Sequence, residues 1–152
     1  MMTQPSVARL IEVIRTQLTE TIGPALTDDG PRSALGMIDH VLQMIQTRSE
    51  REIDWMVLQT TDIIDLARSA VASGDVSSKV SDAVDAYEAN RTGGLAASQV
   101  TSDYAHAAAV LSLLLEETVG TSSDTAIEAR DLLEREVQWG VDVVGDFVLV
   151  AP

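Results

Sequence analysis

Apolar residues return along this chain at intervals of three and four, the spacing that lines one face of an α-helix. Between Pro5 and Ile22 they fall at positions 7, 10, 11, 14, 18 and 22. Pro5 suits a helix start and Gly23-Pro24 a stop. After the turn "TDDGP", Pro31 opens a second, longer run. Leu35, Ile38, Leu42, Ile45, Met56, Ile63, Leu66 and Ala70 share one alternating register, with no Gly or Pro between Gly36 and Gly74. That is the register of a seam between packed helices. A single helix of about ten turns is expected.

A shorter helix follows, with Val76, Val80, Ala83, Val84 and Tyr87 on one face and "NRTGG" closing it. Ser98 is placed to cap a fourth helix, whose stripe is Val100, Tyr104, Ala107, Leu111 and Leu114 and whose end is Gly120. The last helix starts in "TSSDTAIE", where Thr125 and Glu128 have capping-box spacing. It carries Ala126, Leu133, Val137, Val141 and Val144, and the closing "VVGDFVLVAP" is expected to leave the helix near Gly145 as an extended tail. The pattern predicts an all-α fold. Four long helices form an antiparallel bundle, the short third helix flanks it, and residues 1–152 make one domain.

Composition narrows the chemistry. The chain of 152 residues is long enough to bury a core, and with only two Trp, two Tyr and one Phe that core must be aliphatic. Ten Lys and Arg stand against 24 Asp and Glu, a net charge of −14. Nucleic acid and anionic membranes are therefore not expected as partners, since both require a positive face. The absence of cysteine excludes thiol chemistry, disulfides and Cys-ligated metals. The opening "MMTQPSVARLIEV" lacks the basic segment and apolar run of a signal peptide, and "AHAAAVLSLLLEE" is too short to span a bilayer. A cytoplasmic location is expected.

Few residues offer catalysis. His106 lies three residues after Asp103, a carboxylate–histidine spacing used by di-iron bundles, but those need a second such pair and further Glu ligands. Met37 precedes His40 where the second carboxylate would stand. No metal or other cofactor is expected. Serines cluster in turns and caps, and phosphate-binding glycine loops and nucleophile elbows do not occur. Adjacent carboxylates such as Glu116-Glu117 point in different directions on a helix and read as solvated faces.

One interruption stands out. In the second helix's register the positions after Ile45 are Ser49, Glu52, Met56 and Gln59, three of them polar, the first three within "RSEREIDWM". Arg130 and Glu134 interrupt the last helix similarly. An unpaired buried charge costs several kcal/mol, so a polar layer is one reading: Glu52 paired with Arg48 one turn back or with Arg130. In the other, the helix drifts against a strict seven-residue repeat. Ile53, Trp55 and Met56 then enter the core and Glu52 faces water.

"PSVARLIEVIRTQLTETIGPAL", with the following apolar helix ending in "RSEREIDWM", resembles a small bacterial all-helical family of unknown function. Its members tend to be encoded beside aminoglycoside-phosphotransferase-like kinases and acyl-CoA dehydrogenases. The likeness covers residues 5–56 and rests on the Pro5 start, the Pro24-Ala25-Leu26 end and the Arg/Glu-rich close. It implies an accessory role beside such an enzyme and carries over no catalytic residue. The expected function is a non-catalytic subunit that binds a protein partner or forms a homo-oligomer, with Trp55, Trp139 and Tyr87 as interface anchors. The competing expectation is a small-ligand or metal-dependent bundle enzyme built around Glu52, Arg130, His106 and Asp103.

Overall fold

The computed structural model describes residues 4–145, and every regular element among them is helical. The order is α1 (Val7–Thr16), α2 (Asp29–Ser73), α3 (Ser78–Asn90), α4 (Ala97–Thr118) and α5 (Asp124–Val144). The tail expected after Gly145 lies outside the described residues. No helix among them is long and apolar enough to cross a membrane.

Local chemistry sets the boundaries. Ser6 caps α1 by accepting from the Arg9 amide at 3.2 Å. Past Thr16 the coil loosens to a π-helical turn, Gln17–Ile22, and tightens to a 3-10 turn, Gly23–Ala25. Pro24 has no amide to return to the preceding turn, so the regular ladder ends there. α2 then runs unbroken for 45 residues, a length of about 68 Å. It passes through Glu52 without interruption, as the Gly- and Pro-free stretch predicts. Gly74 ends it at φ +78°, a backbone that side chains resist, and Asp75 N reaches back to Ala70 O at 3.0 Å in a Schellman closure.

Two expected caps fall elsewhere. Helix α4 begins earlier than Ser98: its N-cap is Ala96, whose amide donates to the Gln99 side chain. At α5 the hydroxyl of Ser123, not Thr125, accepts from the Ala126 amide. Thr125 instead donates to Asp75 at 3.0 Å. At α5 several hydroxyl residues stand together in "TSSDT" and spacing alone does not choose among them, whereas at α4 the Gln99 side chain supplies the acceptor and no hydroxyl is needed.

Contacts divide the chain into two compact units. One comprises Ile53–Trp139, and the other the residues up to Glu52 together with those from Gly140 onward. The Ile53–Trp139 unit holds the main core. There Ile63, Ile64, Leu66, Ala67 and Ala70 of α2 meet Val80, Val84 and Tyr87 of α3, Ala107, Val110, Leu111 and Leu114 of α4, and Ala129 and Leu132 of α5. Trp55 and Gln59 of α2 meet Trp139 and Leu132 of α5, and Asp75, just past the end of α2, meets Thr125 near the start of α5. In the other unit only Ala8 and Ile11 are fully buried among the described residues.

Candidate functional site

The register that builds α2 is continuous, but its covering is not. Ile38, Ile45, Glu52, Gln59 and Leu66 follow one another at seven-residue steps along one side of the helix. Gln59 and Leu66 are buried, whereas Ile38 and Ile45 remain 50 % and 45 % exposed. Val41 and Met37 lie exposed on the same side. On α1, Val7, Leu10, Val13 and Ile14 are likewise exposed, beside the buried face of Ala8 and Ile11. These eight side chains form apolar strips on two helices of one unit.

The two helices are held to each other by polar contacts. Arg15 of α1 forks onto Asp39 of α2, with Nε to Oδ1 at 2.7 Å and Nη2 to Oδ2 at 3.1 Å. It also donates to Gln46 at 3.3 Å and Gln43 at 3.5 Å. The fork is the geometry that guanidinium and carboxylate share, which fixes register as well as attraction. Nothing in the periodicity points to this pair, because its partners lie 24 residues apart.

The polar interruption resolves into separate arrangements. Glu52 accepts from Arg48 one turn back, with Nε at 2.8 Å, and the side chains are 22 % and 54 % exposed. Arg130 donates to the Thr121 carbonyl at 2.9 Å, and Glu134 is exposed beside Asp131 and Arg135. Ile53, Trp55 and Met56 are half-buried. The buried polar member of the register is Gln59, whose Nε2 donates to the Leu132 carbonyl of α5 at 2.8 Å. Two predictions follow from this contrast. An i, i+4 pair with water reaching Arg48 stabilises by a few tenths of a kcal/mol, so Glu52→Ala should change stability by no more than about 0.5 kcal/mol. Gln59→Ala, which opens a hole and removes one buried hydrogen bond between α2 and α5, should cost about 1–3 kcal/mol. Urea melts followed at 222 nm measure both.

The aromatic residues mostly face one another. Trp55 stacks on Trp139 at 5.2 Å and 11°, and meets Tyr104 at 5.3 Å and 60°. Both Trp are half-buried. Burial, and then the Glu136 carboxylate, push the Tyr104 phenol well above its ordinary range. Tyr87, expected as an interface anchor, lies buried in the core cluster. Its place on the α3 stripe serves packing instead.

Acidic side chains anchor the loops of the Ile53–Trp139 unit. Asp103 is buried and accepts from Thr92 N at 2.8 Å, Thr92 Oγ1 at 3.1 Å and Gly93 N at 3.0 Å. Burial pushes its carboxyl up, but these bonds, with the nearby His106, outweigh burial and hold it below the usual value. Both oxygens are committed to the "NRTGG" joint, and His106 is exposed. Glu117, read from the sequence as a solvated face, accepts the Ser77 amide at 2.7 Å and the Ser77 hydroxyl at the start of α3. Those two bonds, the hydroxyl's first, lower its pKa. A helix N-terminus attracts anions, which explains why a carboxylate caps it from a neighbouring helix.

Between α2 and α5 lies an open cleft of about 570 Å³, lined by Asp62, Asp65, Leu66, Ser69, Glu128, Asp131, Leu132 and Arg135. Arg135 pairs with Asp62 at 2.8 Å. The carboxylates do not converge: among the described residues no group of three or more His, Cys, Asp or Glu is spaced to hold a metal ion. The cleft is an acidic surface.

Among the described residues, fold and site together define an all-helical architecture with an acidic cleft and an exposed apolar seam. No protein-family model matches it, and no curated protein or solved structure proves similar to it.

Proposed function

We propose that this chain is a non-catalytic accessory subunit that works by binding protein. The observation that supports the reading is the seam of α2 left uncovered over Ile38–Ile45, together with the neighbouring strip on α1. Apolar surface of this kind on helices is the usual substrate of helix-to-helix docking. Three of the carboxylates have structural work: Asp103, Glu117 and Glu52 are spent on Thr92, Ser77 and Arg48.

In this reading the long helices pack as an antiparallel bundle, and α1 lies antiparallel to the start of α2. At 100° per residue, the exposed strip on each helix is offset by roughly 120–150° from the side carrying Arg15 or Asp39, and in the same sense. In an antiparallel pair, equal offsets turn both strips to one side. The resemblance of residues 5–56 to proteins encoded beside phosphotransferase-like kinases and acyl-CoA dehydrogenases proposes such an enzyme as partner. The test is native mass spectrometry of the chain co-expressed with its genomic neighbours. A stoichiometric complex lost in Leu10→Asp supports the reading, and a chain that binds nothing with or without the substitution defeats it.

A further inference from the structure

We infer that the uncovered seam of α1 and α2 is a self-association surface, on which a second copy of this chain docks to make a symmetric four-helix contact. The inference deepens the interaction reading above and rests on it. It starts from the spacing: Ile38 and Ile45 continue at seven-residue steps the same line as Gln59 and Leu66, which other helices of the chain bury. A stripe that keeps a seven-residue repeat is shaped for a helix, since only a supercoiling helical neighbour stays in step with it. The occupant is therefore helical, and a second copy presents a matching pair of helices.

Area agrees with that occupant. Half-exposed Val, Leu, Ile and Met side chains show on the order of 50–80 Å² each, so the eight in the strips total about 500 Å² of apolar surface. A standard interface removes about 800 Å² from each partner, a little over half of it apolar. The strips thus match one side of a stable dimer.

Charge selects the same place. Two chains of net charge −14 repel, and any acidic surface would make that worse on contact. Leu10, Ile14, Ile38, Val41 and Ile45 carry no charge, and the one carboxylate on the α2 line, Glu52, is neutralised by Arg48. The cleft with Asp62 and Asp131 offers no such place. A two-fold contact sets each strip against its own copy, which suits an uncharged surface.

Sedimentation equilibrium of the full chain tests this. The wild type should behave at about 10 µM as twice 16.3 kDa. Leu10→Asp combined with Ile38→Asp should sediment at 16.3 kDa with unchanged helicity, its dissociation constant raised at least about 100-fold. Should the pair disturb folding, Val41→Lys at an exposed position supplies the same test. A wild type that stays monomeric at about 100 µM overturns the inference, as does a dimer that survives these substitutions. Failure of the broader reading is distinguishable. A monomeric wild type that still forms the co-expressed complex, lost in the same variants, leaves the interaction role standing and gives the seam to another protein. A monomer whose melting temperature falls in every strip variant, with no partner found, assigns the strip to this chain's own packing and overturns both.

Discussion

Replacing Leu114 by alanine should cost about 3–5 kcal/mol and lower the melting temperature by roughly 10 °C or more. Leu114 is completely buried in α4, within the cluster that draws on α2, α3, α4 and α5. The same cluster holds Ile63, Val80 and Val110, equally enclosed and β-branched, each held in few rotamers by its own backbone. Such neighbours relax little into a hole, and incomplete relaxation is what carries a leucine deletion to the upper end of its range. Leu95→Ala provides the contrast, since Leu95 is 80 % exposed and should change stability by no more than about 0.5 kcal/mol. Thermal melts at 222 nm of both variants check the pair. A loss below about 1 kcal/mol at Leu114 would show that the four helices do not share one core.

Periodicity made the helices and most of this core readable from the chain. Ile63, Leu66 and Ala70, and likewise Val100, Ala107, Leu111 and Leu114, lie on stripes visible in the sequence, and all are buried. The register could not tell which stretches of a stripe are covered. Ile38 and Ile63 both fit one register, yet only Ile63 is enclosed, because covering is decided by other segments of the chain. The same limit governs the polar positions. Glu52 and Gln59 are seven residues apart on one line, but an amide can satisfy itself inside by donating to the Leu132 carbonyl, whereas a carboxylate stays where Arg48 and water reach it. The pairs that tie segments together, Arg15 with Asp39 and Ser77 with Glu117, join residues 24 and 40 positions apart. No local pattern announces them.

Asp103 makes one such carboxylate anchor testable. Asp103 is 8 % exposed and receives two backbone amides and one hydroxyl from the joint between α3 and α4. The Thr92 and Gly93 amides are consecutive, so one carboxylate meets both, and Gly93, at φ +63°, turns the chain beyond them. Asp103→Ala would leave those amides without their acceptor and should cost about 2–3 kcal/mol, the range for hydrogen bonds to a charged group. Asp103→Asn keeps one acceptor oxygen and should lose less. The pH dependence separates charge from shape. The carboxyl's folded pKa lies below its ordinary 3.8, so its contribution is fully present above that value and is lost as pH falls through the folded one. The stability gap between wild type and Asp103→Asn should therefore be fully present above about pH 5 and should narrow as the pH drops below about 3.9. Urea melts at closely spaced pH values read this directly. A gap that stays constant into strong acid would mean that Asp103 holds the joint by shape alone.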